Sequence, residues 1–163
     1  KLPESQMDRF MIRVTMGYPS VEDEVSIMKS KTGGLSNRVL SKNVINAQDF
    51  MAMRDIVDEV YVDDSIYEYV AKIVAKTRDS EDILQGISPR GSISIINMAK
   101  AEAFLRGHDY VLPSDIQFVL NDTMAHRIIL NRSLKRGHIT EESVIDSICR
   151  SVDVPKIGTR GIL

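Results

Sequence analysis

The stretch that most constrains this chain runs from Ser88 to Leu105, where Ile93, Ile95, Ile96, Met98, Ala99, Ala101, Ala103, Phe104 and Leu105 leave a helix hardly any polar face. Such a helix forfeits most of its hydrophobic stabilisation at a surface, so the pattern predicts a central helix wrapped by other helices. Its start is just as specific. Ser88 is a favoured N-cap, and Pro89 fits the first helical position, where its missing N–H is no loss. Arg90 then falls in the first turn, where a cation opposes the positive end of the helix dipole at a cost of roughly 0.3–1 kcal/mol. The free N–H groups of the same turn make a seat for an anion, and phosphate is the sharp candidate. Water, or one of the chain's many carboxylates, is the ordinary alternative partner for Arg90.

Other segments supply the wrap. Asn46 can cap a helix with the stripe Phe50, Met53, Val57 and Val60, and a second helix from about Asp64 turns Ile66, Val70, Ile73 and Val74 inward, ending near the loop Arg78-Asp79-Ser80-Glu81. Gly107 stops the central helix. Pro113-Ser114-Asp115 opens a short helix to Leu120, another runs from about Asp122 to Leu130, and Thr140 caps a last one through Val144, Ile145 and Ile148. Residues 47–154 thus read as one all-helical body, with 155–163 a flexible tail holding two glycines.

Ahead of that body the pattern changes. Phe10, Ile12, Val14 and Met16 alternate with Met11, Arg13 and Thr15, which predicts a strand over about 10–16. Nothing later repeats the alternation, and one strand leaves its N–H and C=O groups unpaired, so its sheet is expected elsewhere. Ser20 caps a helix over about 21–31, with Glu22, Asp23 and Glu24 in its first turn. Gly33-Gly34 ends it, and the polar residues 35–46 read as a linker. The chain opens on Lys1-Leu2-Pro3 without a methionine and reads as cut from something longer.

Composition narrows the classes. With 163 residues, 43% of them hydrophobic, the chain can bury one or two small cores, and its net charge of −2 gives no basic footprint for nucleic acid. No apolar run reaches the roughly 18 residues of a membrane span, and no signal-peptide pattern opens the chain. A single cysteine, Cys149, excludes a disulfide framework and fits a reducing cytoplasm. His108, His126 and His138 lack metal-ligand spacing, so no metal site is expected. A phosphate loop, a Gly-x-Ser-x-Gly elbow and a His-Glu-x-x-His pair are all absent, so the chain alone should be catalytically silent. Arg9, just before the strand, could project from the rim of a sheet; by sequence alone a surface arginine near Asp8 or Glu4 is the ordinary case.

Leu2-Pro3-Glu4-Ser5-Gln6-Met7-Asp8-Arg9-Phe10, Met16-Gly17-Tyr18-Pro19, Val60-Tyr61-Val62, Gly86-Ile87-Ser88-Pro89-Arg90, Ala103-Phe104-Leu105-Arg106-Gly107 with Asp109-Tyr110-Val111, and Ala125-His126-Arg127 occur in this order. Together they resemble the MoxR family of AAA+ ATPases over nearly the whole chain. The resemblance implies a mainly α fold: a helical-bundle lid, preceded at 1–34 by the last strand and helix of an α/β ATPase core. It implies a ring, usually of six, that uses ATP and Mg2+ and remodels partner proteins in a chaperone-like way, often with proteins bearing a von Willebrand factor A domain.

By the same resemblance Arg9 matches the arginine finger, acting on the nucleotide of a neighbouring subunit, and Arg90 the sensor 2 arginine, with Ser88 and Pro89 shaping the nucleotide-facing helix start. The phosphate loop, the metal-binding acidic motif and the first sensor would then lie upstream. Two positions depart from the family pattern. Gly91 replaces a commoner alanine, weakening the helix start by up to about 1 kcal/mol, and Leu112 stands where a threonine cap is usual. A helical protein–protein interaction module that never meets nucleotide is the rival reading. It leaves unexplained the lone strand, Arg90 in the first turn and the ordered run of family words.

Overall fold

The computed structural model describes residues 3–32, 44–131 and 139–156. A short helix α1 (Glu4–Met7) and α2 (Val21–Thr32) precede the main body. That body consists of α3 (Ala47–Glu59), α4 (Asp64–Asp79), strand β1 (Ile83–Gln85), α5 (Pro89–Leu105), α6 (Pro113–Met124), strand β2 (Ile129–Leu130) and α7 (Glu141–Arg150). The expected Gly33-Gly34 stop, most of the linker, His138 and the tail from residue 157 lie outside the described residues.

The capping chemistry sets the starts. Asn46 accepts the N–H of Asp49 at 2.9 Å while Asp49 accepts that of Asn46 at 3.1 Å, a closed capping box. Thr140 and Ser143 exchange the same pair of bonds ahead of α7. Leu112 has no cap of its own, yet α6 is not loosely started. The Asp115 carboxylate, fully buried and 3.3 Å from the Arg106 guanidinium, accepts the Leu112 N–H at 2.8 Å. The bond missing on the cap side chain is thus supplied from the third helical position. Gly107, at φ +78°, takes the left-handed turn that ends α5.

The core forms where α5 crosses α6, the most extensive helix pair, with Ile95, Ala99 and Ala103 of α5 and Ile116, Val119 and Leu120 of α6 all buried. Two alanines on the contact stripe let the backbones approach. Ile66, Tyr69, Val70, Ile73 and Val74 of α4 and Val144, Ile145 and Ile148 of α7 close the core on its other sides. Tyr69 spans this junction. Its hydroxyl accepts a hydrogen bond from Gln117 at 3.1 Å and lies 3.6 Å from the Cys149 sulfur, and burial pushes its pKa up to about 12.

Several expectations need correction. Phe10–Met16 forms no strand, bending at Phe10 and Met11, and pairs with no strand among the described residues. Its backbone bonds to α1 through Phe10 N–H to the Met7 carbonyl at 3.1 Å and to α6 through Arg13 N–H to the Asp122 carbonyl at 2.9 Å, and no ladder forms, because a ladder needs a neighbouring strand and none is at hand. The body is not wholly helical: β1 and β2 pair antiparallel, Ile83 opposite Leu130, so the helix expected over Asp122–Leu130 is instead the end of a single α6, a turn, and a strand. The apolar runs there are too short to distinguish a helix turn from a buried strand. The α3 stripe is not buried, Phe50 being 61% exposed, and α5 keeps an open side at Ile93 and Leu105. Finally, Val60-Tyr61-Val62 and Asp109-Tyr110-Val111 meet: Tyr61 N–H reaches the Asp109 carbonyl and Val111 N–H the Tyr61 carbonyl, both at 2.9 Å.

Gly91 also earns a different reading. A Cβ built there would stand 2.4 Å from Cγ2 of the buried Ile87 and 3.2 Å from Cδ of Arg127, so the missing methyl is a steric requirement. Overpacking of about 1–3 kcal/mol outweighs the gain of up to about 1 kcal/mol in helix propensity. Gly91→Ala should therefore lower stability, read as a drop in the urea midpoint at unchanged slope; a raised midpoint would show that Ile87 can move aside.

Candidate functional site

The residues singled out in the sequence come together at the start of α5. Ser88 takes the extended N-cap conformation (φ −76°, ψ 164°), and its hydroxyl accepts the Gly91 N–H at 3.4 Å. The same hydroxyl donates toward both oxygens of Asp8, each at 3.0 Å. Pro89 holds the first helical position. Arg90 follows with its side chain 57% exposed and its guanidinium 3.9 Å from the Asp8 carboxylate, a loose ion pair that leaves most of its donors free. The anion expected at this helix start is thus present, and it is the side chain of Asp8.

Asp8 is answered more firmly from the other side. Arg127, one residue-turn beyond the end of α6, has a side chain only 1% exposed and its Nε 3.3 Å from Asp8 Oδ1. Its Nη2 donates to the carbonyls of Asp8 at 3.3 Å and Phe10 at 2.6 Å and to the Ser94 hydroxyl at 3.0 Å. Its Nη1 donates to the carbonyl of Met11 at 3.1 Å and to that of Thr123. Burial pulls the Arg127 pKa below its ordinary value, opposed by the carboxylate of Asp8. A guanidinium stays charged through such a shift, so the site holds two cations, Arg90 and Arg127, around one carboxylate.

His126 adds a second grip on the same segment, its Nε2 lying 3.0 Å from the Phe10 carbonyl. A carbonyl only accepts, so Nε2 carries the proton and the buried Nδ1, without a hydrogen-bond partner, is bare. Arg9 projects into solvent next to this clamp and makes no side-chain ion pair among the described residues. Its expected neighbour Asp8 is turned instead to Ser88, Arg90 and Arg127.

Sequence reasoning found Ser88, Pro89 and Arg90 but missed Asp8 and Arg127 as site residues. A signal existed for Arg127: it interrupts the apolar run Met124-Ala125…Ile128-Ile129-Leu130, where a charge must be buried with partners. As for ligands, the free fork of Arg90 and the open end of α5 fit a phosphate group. Among the described residues no cluster of His, Cys, Asp or Glu could hold a metal ion, and no helix is long and apolar enough to cross a membrane.

Comparison with known proteins agrees with the helical body just described: residues 75–148 match the family model of the AAA lid domain. The class of protein is therefore one that carries an AAA-type lid. The chain is 39% identical to the uncharacterized protein YeaC of Bacillus subtilis, over 94% of this chain and 48% of that protein. It is 32% identical to the chaperone MoxR1 of Mycobacterium tuberculosis, over 96% of this chain and 43% of that one. A crystal structure of a protein assigned as an ATPase from Cytophaga hutchinsonii superposes with a TM-score of 0.82 at 32% identity, covering 96% of this chain and 50% of the other. The chain belongs to the MoxR-type AAA+ ATPases, and it spans about half the length of the curated relatives it matches.

The His126 environment makes a pH prediction. Burial, outweighing the bond to the Phe10 carbonyl and aided by the nearby charges of Arg127 and Arg13, lowers its pKa from 6.5, so below that value the unfolded chain binds a proton that the folded chain resists. Stability is present in full above the unfolded value and is lost as pH falls toward the lowered one. Urea midpoints should drop as the pH falls below about 6.5, and His126→Gln should flatten that drop relative to wild type. An unchanged pH slope in the variant would assign the drop to other groups.

Proposed function

We propose that this chain forms the nucleotide-responsive lid of a MoxR-type ATPase, in which ATP binding draws lid and core together and hydrolysis drives chaperone-like remodelling of a partner protein. One observation supports this reading above the others. The segment carrying Arg9 and the helix start carrying Arg90, far apart in sequence, are joined through Asp8, Ser88 and Arg127. In this reading Arg90 acts as sensor 2, its half-free fork taking phosphate oxygens of the nucleotide bound to its own subunit, with Ser88 and Pro89 holding the helix start open toward them. Arg9, exposed beside it, acts as the arginine finger toward the nucleotide of the neighbouring subunit.

Such a shared site requires a ring, and six subunits is the arrangement proposed. ATP supplies the phosphoryl group and Mg2+ neutralises charge on it, and the groups that cradle both belong to the rest of the ATPase. The chain's own contribution is orientation: it presents two permanent cations at fixed places and lets the phosphates select between open and closed lid. The apolar residues left exposed on α2 and α3, among them Val21, Ile27, Phe50 and Ile56, suit helices that pack against such a core. A client bearing a von Willebrand factor A domain, and a cytoplasmic location, complete the proposal.

Steady-state ATP hydrolysis by the full-length protein tests it. Arg9→Ala should lower kcat by roughly 10³-fold, as loss of an arginine finger does, and Arg90→Ala should weaken both turnover and KM. Activity of the wild type should rise with protein concentration as subunits assemble. Wild-type turnover in both variants would reduce the two arginines to surface charges and favour the interaction-module reading.

A further inference from the structure

We infer that Arg127 is a positioning residue for the two site arginines, setting the backbone that carries Arg9 against the helix start that carries Arg90; the inference rests on the nucleotide reading above. Arg127 touches neither arginine's guanidinium through a hydrogen bond. It holds what they are attached to. On one side its fork takes the carbonyls of Asp8, Phe10 and Met11, which bracket Arg9 in the chain. On the other it donates to the Ser94 hydroxyl at 3.0 Å, and that hydroxyl in turn donates to the Arg90 carbonyl at 3.1 Å. The Thr123 carbonyl anchors the fork to the end of α6. One guanidinium, 1% exposed, therefore links the Arg9 segment, the first turn of α5 and the end of α6.

The need for such a device follows from the rest of the geometry. Residues 10–20 have no strand partner among the described residues, so no ladder holds the Arg9 segment in register. The contacts that do include side-chain donors to backbone carbonyls, from Arg127 and His126, the backbone bond of Arg13 to Asp122, the Arg13–Glu142 ion pair at 3.1 Å and the Ser88 hydroxyl on Asp8; of these only Arg127 also reaches the first turn of α5 through Ser94 and the end of α6 through Thr123. A planar fork with five donors in fixed directions can hold several carbonyls at once, whereas an ammonium group cannot span them. An error of about 1 Å in placing a catalytic group costs on the order of 10²-fold in rate, so a positioning residue can matter without touching substrate.

Arg127→Lys and Ser94→Ala in the full-length protein test this, with kcat, KM and melting temperature measured on the same samples. Arg127→Lys keeps the charge and loses the fork; kcat should fall about tenfold or more with KM changed less than about threefold. Ser94→Ala removes only the link to the Arg90 carbonyl, and should lower kcat about threefold while the melting temperature moves by only a few degrees. Should Arg127→Lys fail to fold, Ser94→Ala carries the test alone. Wild-type kcat in Ser94→Ala, alongside an inactive Arg9→Ala, overturns the inference and leaves the nucleotide reading standing. Losses that merely track the fraction of unfolded protein also overturn it. Wild-type turnover in Arg9→Ala and Arg90→Ala removes the nucleotide reading itself, and the inference with it.

Discussion

A buried cation is the constraint on which the site depends. Taking a guanidinium out of water costs several kcal/mol unless its donors are met. Arg127 meets those of its two Nη atoms with the carbonyls of Asp8, Phe10, Met11 and Thr123 and the Ser94 hydroxyl, while its Nε, without a hydrogen-bond acceptor, lies 3.3 Å from the Asp8 carboxylate that balances its charge. The dependence runs both ways. The carbonyls of Phe10 and Met11 belong to a segment without a ladder, and backbone acceptors withdrawn from water must find donors. The arginine draws most of its acceptors from the segment, and the segment finds in the arginine the donor for three of its carbonyls.

That clamp needs a rigid floor, and the α5–α6 crossing supplies it. Ile95, Ala99 and Ala103 place the two helices close, so Ser94 on α5 and Thr123 on α6 face one another across the space that the guanidinium fills. Gly91 belongs to the same arrangement, for a side chain there would press on both Ile87 and the Arg127 stem. The start of α5 is therefore shaped by packing as much as by its caps, and the Arg90 that it carries inherits a defined direction.

Much of this was legible in the sequence, and the parts that were not share a cause. Caps and stops speak locally, so Asn46, Ser88, Pro89, Gly107 and Thr140 all act where the pattern puts them. What lay hidden is non-local: the pairing of Ile83 with Leu130, the bridge between Tyr61 and Tyr110, and the capture of Asp8 by Arg127. Asp8 looked like the companion of Arg9 because they are neighbours in the chain, whereas its carboxylate is turned toward α5 and α6. Periodicity also overstated burial. The stripe of α3 is real, but a stripe says that a face wants cover, and among the described residues that face has little.

The two arginines that share Asp8 differ in a way that suits different work. Arg127 is enclosed, bonded through both Nη atoms and 3.3 Å from the carboxylate; to leave, it would have to abandon those acceptors in a medium where each is expensive to lose. Arg90 stands 3.9 Å away and is more than half in water, where an ion pair contributes little and a stronger anion can compete. In the proposed reading, a phosphate arriving at the start of α5 need not displace Asp8 from its seat. It has only to draw the fork of Arg90 away from it, while Arg127 and Ser88 keep the carboxylate and the segment behind it in place. In the proposed reading, responsiveness at Arg90 rests on Arg127 holding still.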